Sequence, residues 1–169
     1  MWIYERNIDN SSRYILGEIG VKNLIVIGVN PSTSEPNNLD QTLKNVKTRS
    51  NLSGFDCWLM INLYPQRTTN PSSLHKNKDI ELFAENLRKI KNVFYPKCTI
   101  WAAWGTLINK RSYLFESLEH IYKLSMPFDS NWISFGNKSK DGHPHHPLYL
   151  RHDLQPENFD IKSYLERKI

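Results

Sequence analysis

N-L-I-V-I-G-V-N-P, residues 23 to 31, is an unbroken apolar run that halts at Gly28, Asn30 and Pro31. It shows no alternation of polar and apolar residues. A strand with one face in water would alternate, because successive side chains point to opposite faces. The run therefore predicts a strand buried on both faces, as in a parallel sheet covered by helices. Working outward, the chain repeats the pattern in C-W-L-M-I-N-L-Y-P (57–65) and C-T-I-W-A-A-W-G (98–105), with W-I-S-F-G (132–136) as a shorter fourth run.

Helical spacing lies between these runs. Ile80, Phe83, Leu87, Ile90 and Phe94 recur at intervals of three and four, and so broadly do Leu107, Leu114, Leu118, Ile121 and Leu124. Each set gives one apolar face for packing on a sheet. A shorter helix is expected over Asp40 to Arg49, and another closes the chain with Pro156 at its start. Upstream, W-I-Y-E-R and R-Y-I-L-G-E-I flank the turn-rich N-I-D-N-S-S and predict a β-hairpin. The expected fold is a three-layer α/β/α sandwich. Its central sheet is mainly parallel and four-stranded, with an N-terminal β-hairpin, in one domain over residues 1–169.

Composition narrows the function classes. With 169 residues, 39% hydrophobic and 23% charged, the chain has the make-up of a globular protein with a real core. No apolar run approaches the ~20 residues of a membrane span, and Met1 to Asn10 do not form a secretory signal. The cytoplasm is the expected location. Cys57 and Cys98 lack C-x-x-C spacing and read as buried, reduced thiols. The balance of 22 Lys+Arg against 17 Asp+Glu is mildly basic and permits a polyanionic partner.

In sheets of this kind ligands bind beyond the carboxyl ends of the strands. The first run ends in G-V-N-P-S-T, where Asn30, Ser32 and Thr33 offer donors and acceptors; a plain strand-to-loop turn would look the same. The second ends in I-N-L-Y-P-Q-R-T-T. Asn62 interrupts the apolar run, so its amide either braces a loop or reads a planar ligand. Arg67 is either a surface arginine or a phosphate contact. Asp40 is either a helix N-cap or a carboxylate at the crevice. No phosphate-loop or dinucleotide fingerprint occurs, and no cofactor is called for. The fourth run leads through G-N-K-S-K-D-G to H-P-H-H-P-L-Y, where three of the six histidines fall between residues 143 and 146. His143, His145 and His146, with His152 beyond, have spacing that suits a transition metal. The prolines Pro144 and Pro147 and the opposed directions of adjacent side chains argue against it.

G-V-N-P-S-T, D-Q-T, I-N-L-Y-P-Q-R-T-T-N-P, A-W-G and G-H-P-H-H-P-L-Y-L together are similar to the signature of an uncharacterised family of bacterial and phage proteins, a domain of unknown function, over about residues 13–151. More distantly the chain resembles the uracil-DNA glycosylase superfamily. There a first strand ends in Gly-x-Asp-Pro or Gly-x-Asn-Pro, a second in a base-reading Asn, a third in Trp-Gly, and a late His-Pro loop carries a catalytic His and a wedging Leu. The counterparts are Asn30, Asn62, Trp104 with Gly105, and His146 with Pro147 and Leu148. The S-T after Pro31 and the D-x-T depart from that superfamily.

The resemblance implies cleavage of a base–sugar N-glycosidic bond in nucleic acid or a nucleotide. Asn30 would hold water and His146 would stabilise the leaving base; Asp40, which lies outside the resemblance, is the nearest carboxylate for a general base where Asn30 is too weak. Ser32, Thr33, Asn62 and Tyr64 would bind substrate. Leu148 or Tyr149 would fill the gap left by an extruded base. Arg67, Lys138 and Lys140 would meet phosphates. The alternatives are a non-catalytic nucleotide or nucleic-acid binder and a His-rich metal-dependent hydrolase.

Overall fold

A computed structural model describes residues 1–168. The strands are β1 (Trp2–Arg6), β2 (Arg13–Glu18), β3 (Asn23–Gly28), β4 (Cys57–Asn62), β5 (Thr99–Ala102), β6 (Asn131–Phe135) and β7 (Pro156–Asn158). The helices are α1 (Gln41–Leu52), α2 (Ile80–Ile90), α3 (Tyr113–Ser125) and α4 (Ile161–Glu166). One sheet holds all the strands in the order β1-β2-β4-β3-β5-β6-β7.

The apolar runs form the parallel centre. β3 pairs with β4 and with β5, and β5 pairs with β6, all parallel. The sheet is nevertheless seven-stranded rather than four-stranded. The hairpin β1–β2 does not stand apart: β2 pairs antiparallel with β4 through Leu16–Met60, Gly17–Leu59 and Glu18–Trp58. β7 adds an antiparallel edge on β6. None of its three residues is buried, so only backbone pairing defines it. Pro156 therefore opens a strand, not the closing helix. Proline lacks an N–H and is tolerated in an edge strand. Asp160 instead caps α4, accepting from the Ser163 amide at 2.9 Å.

Alternation within the buried strands divides the core in two. Ile25, Ile27, Leu59, Ile61 and Ile100 face one side. There they meet Phe83 and Ile90 of α2, Leu114, Leu118 and Ile121 of α3, and Tyr164 of α4. Leu24, Val26, Trp58, Met60 and Trp101 face the other side, against Leu43 and Val46 of α1. One helix cannot cover that face. Arg49 of α1 completes the layer. Its guanidinium lies 5.0 Å from the Phe135 ring centroid and donates to the carbonyls of Arg151, His152 and Leu154. The segment after the histidine stretch is thereby fastened to α1. The helical stretch near Leu107 splits into a short 3₁₀ turn, Gly105–Lys110, before α3. Among the described residues no helix is long and apolar enough to cross a membrane.

Candidate functional site

A cleft of about 920 Å³ opens beyond the carboxyl ends of the parallel strands. Gly28 ends β3 and is required by close packing. A Cβ there would stand 2.5 Å from Met60 Cε and 3.0 Å from Asn62 Oδ1. The next turn delivers Asn30. Its Nδ2 donates to the carbonyls of Pro31 and Thr68, both at 2.9 Å. With both amide hydrogens spent, Oδ1 is the open valence, an acceptor at the cleft wall.

Asp40 serves two ends. Its Oδ1 accepts from the Leu43 amide at 2.9 Å and caps α1, while its own amide donates to Ser34 Oγ at 2.8 Å. It also lines the cleft, and its Oδ2 has no protein partner among the described residues.

The histidines are not equivalent. His143 is 1% exposed. Its Nδ1 meets Tyr164 Oη at 2.7 Å and its Nε2 meets Asn109 Nδ2 at 3.0 Å. That side chain braces the loop on α4. His145 directs Nδ1 to the His146 carbonyl at 2.9 Å. His146 is half-buried, and its Nδ1 accepts from the Leu148 amide at 3.2 Å. A neutral His146 therefore carries its proton on Nε2, as a donor. Burial first, and His145 second, hold its pKa below the 6.5 of a free imidazole, with Asp40 pulling the other way. Burial likewise lowers His143. No group of three His, Cys, Asp or Glu side chains among the described residues is arranged to hold a metal ion.

Two contacts aim this loop. Gly105, at φ +60°, lets the His146 Cβ approach to 3.1 Å from where a side chain would begin. Asn45 Nδ2 of α1 donates to the carbonyls of Pro147 and Leu148 at 3.1 and 3.3 Å.

The cleft thus gathers Asn30, Ser32, Asp40, Lys138, His146, Leu148 and Tyr149 from the residues singled out in the sequence. Thr33, Asn62, Tyr64, Arg67 and Lys140 do not line it. Thr33 and Lys140 point to solvent. Asn62 is sealed behind Gly28 and Met60, with neither Oδ1 nor Nδ2 partnered. Tyr64 belongs to the core on the α2–α3 side, its hydroxyl held by His75 at 2.7 Å. Arg67 is turned inward to Tyr4, Asn10 and Ser34. Trp104 is core, bonded to Tyr164. Cys57 and Cys98 are free and buried, and burial pushes the Cys57 thiol up to about 12, far from a thiolate.

Sequence reading missed Arg13, which lines the cleft although it begins a hairpin strand, together with Thr42 and Thr68. The signal available for Arg13 was a lone cation heading the apolar run Y-I-L.

These features define an α/β protein built on a central mixed sheet, with a polar cleft at the carboxyl ends of its parallel strands. The chain belongs to the family described as protein of unknown function (DUF1643), which it matches over residues 13–148. No curated protein and no solved structure matches it.

Proposed function

We propose that this chain hydrolyses a base–sugar N-glycosidic bond in a nucleotide-type substrate. The observation that carries the reading is His146: a half-buried imidazole whose Nδ1 is occupied by a backbone amide, leaving Nε2–H as a donor at the cleft. A neutral donor aimed at an oxygen that gains charge as the base departs is worth ~2.7–4 kcal/mol by analogy with oxyanion holes.

The order of the chain supports the same reading. Asn30, Asn62 and Gly105 stand at or just beyond the ends of β3, β4 and β5, and His146 follows on the long loop after β6, in the order of the glycosylase resemblance. Asn30 Oδ1 holds a water, and Asp40 Oδ2 takes its proton as the oxygen attacks the anomeric carbon. The carbon–nitrogen bond breaks, and its electron pair leaves with the base. His146 stabilises that anion until it is protonated. Asn62 reads the base after the Met60 side chain swings aside.

The test is a base-release assay on free nucleotides, single strands, and duplexes carrying uracil, mismatches and modified bases. Free base from one of them, lost in His146→Ala, supports the reading. Binding without base release on every substrate sinks it and leaves a non-catalytic binder.

A further inference from the structure

Arg13 is 2% exposed, yet its guanidinium lacks the partners a buried charge demands. Nη1 donates to the Ser34 carbonyl at 2.8 Å, and Nε has no partner among the described residues. Among the described residues no carboxylate forms an ion pair with it; Asp40 and Glu35 act on it only from farther away. Arg67, the neighbouring cation, makes matters worse. Burial first and Arg67 second bring the Arg13 pKa down to about 10, which still leaves it charged at neutral pH. An uncompensated buried charge costs several kcal/mol, so a protein that keeps one has a use for it.

Arg13 lines the same cleft as Asn30, Ser32, Thr42 and Thr68. The first turn of α1 faces it too. Asp40 caps Leu43, which leaves the amides of Gln41 and Thr42 without acceptors among the described residues, and both line the cleft. Amides at a helix N-terminus favour an anion, and hydroxyls beside a guanidinium complete a phosphate's acceptor needs.

We propose that the Arg13 end of the cleft is a subsite for the phosphomonoester of a free mononucleotide. The nucleoside part of that ligand rests on the function proposed above; the anion site follows from Arg13 alone. A terminal phosphate fits better than a nucleic-acid backbone. A guanidinium this deep can be reached only by a group that enters the cleft. Among the described residues Lys138 is the one other Lys or Arg lining it, whereas strand-binding grooves track the backbone with many exposed cations. The volume of about 920 Å³ suits a small molecule.

Calorimetric titration of the full chain tests this with inorganic phosphate, the common nucleoside 5′-monophosphates, their matched nucleosides and a short single-stranded oligonucleotide. At least one monophosphate should bind tenfold or more tightly than its nucleoside, and inorganic phosphate should raise Tm. In Arg13→Gln that preference should vanish while the ligand-free Tm holds or rises, since an unpaid charge has gone. Arg13→Lys keeps the charge without the planar fork and should retain a reduced preference, which covers the case in which Arg13→Gln does not fold. Equal binding of nucleoside and monophosphate by the wild type, or a preference that survives in both variants, overturns the proposal. So does tight oligonucleotide binding with no monophosphate preference. No base release is read here, so an inactive protein that prefers monophosphates keeps the subsite and loses only the reaction.

Discussion

Gly105 holds φ +60° and turns its bare Cα toward His146, whose Cβ lies 3.1 Å from the place where a side chain on residue 105 would begin. The end of β5 thereby sets the position of an imidazole that arrives from the loop after β6. Gly105→Ala acts twice. The left-handed backbone costs about 1–2 kcal/mol for any residue with a Cβ, and the new methyl pushes His146 outward. A shift of about 1 Å in a catalytic group can cost ~10²-fold in rate. Thermal melts should show a modest loss, and base release a loss of about two orders of magnitude. A variant that loses stability but keeps full activity would show that the contact does not position His146.

The imidazole itself has a measurable signature. Burial and His145 lower the pKa of His146 below 6.5. Between that lowered value and 6.5 the unfolded chain binds a proton that the folded chain refuses, so stability falls as pH drops through this window and levels off beneath it. His143 adds to the same slope, for burial lowers it also. Nitrogen-edited NMR should find His146 neutral at pH 7, protonated on Nε2, with a midpoint under 6.5. His146→Asn should make the acid side of the stability curve shallower. An imidazolium at pH 7 would contradict the donor role as drawn.

The parallel centre was legible because strands buried on both faces must be apolar almost throughout, and residues 23–31 and 57–65 are. Asn62 stood out for the same reason, as a polar residue where burial forbids one. The histidine stretch announced itself by composition, but which ring works depended on hydrogen bonds to Tyr164, Asn109 and Leu148 that no spacing encodes. Arg13 was hidden by pairing. At the start of a hairpin strand an arginine reads as exposed. Here β2 lies inside the sheet beside β4, and the loop after β3 folds Ser34 over it. β7 was invisible because an exposed Pro-Glu-Asn carries no alternating or buried hydrophobic pattern.

Asn62 presents a buried amide with neither end partnered, next to Gly28 and Met60 at the cleft floor. An unmade buried hydrogen bond costs about 1–3 kcal/mol. Asn62→Leu keeps the number and branching of the side-chain heavy atoms and removes the penalty. Its Tm should rise or hold while base release disappears, the trade expected of a residue kept for binding rather than folding. A Tm loss of several degrees would make Asn62 a structural amide.

Arg67 gives the opposite expectation, and separates the sequence reading from the structure. Its side chain is 13% exposed and ion-paired to Glu35 at 3.7 Å. It donates to Tyr4 Oη and Asn10 Oδ1, each at 2.8 Å, and so ties the β1–β2 hairpin to the loop after β4. Arg67→Met removes both bonds and leaves Tyr4 Oη without a donor, while Asn10 Oδ1 keeps the Tyr4 hydroxyl at 3.0 Å, at a cost of about 1–3 kcal/mol. For a chain of this size that is roughly 2–4 °C of Tm per kcal/mol. Ligand affinity should stay within about twofold of wild type, because the guanidinium does not line the cleft. If phosphate preference falls with Arg67→Met while Tm is unchanged, Arg67 is the anion contact, and the division of labour between the two arginines is the reverse of the one argued from their burial and partners.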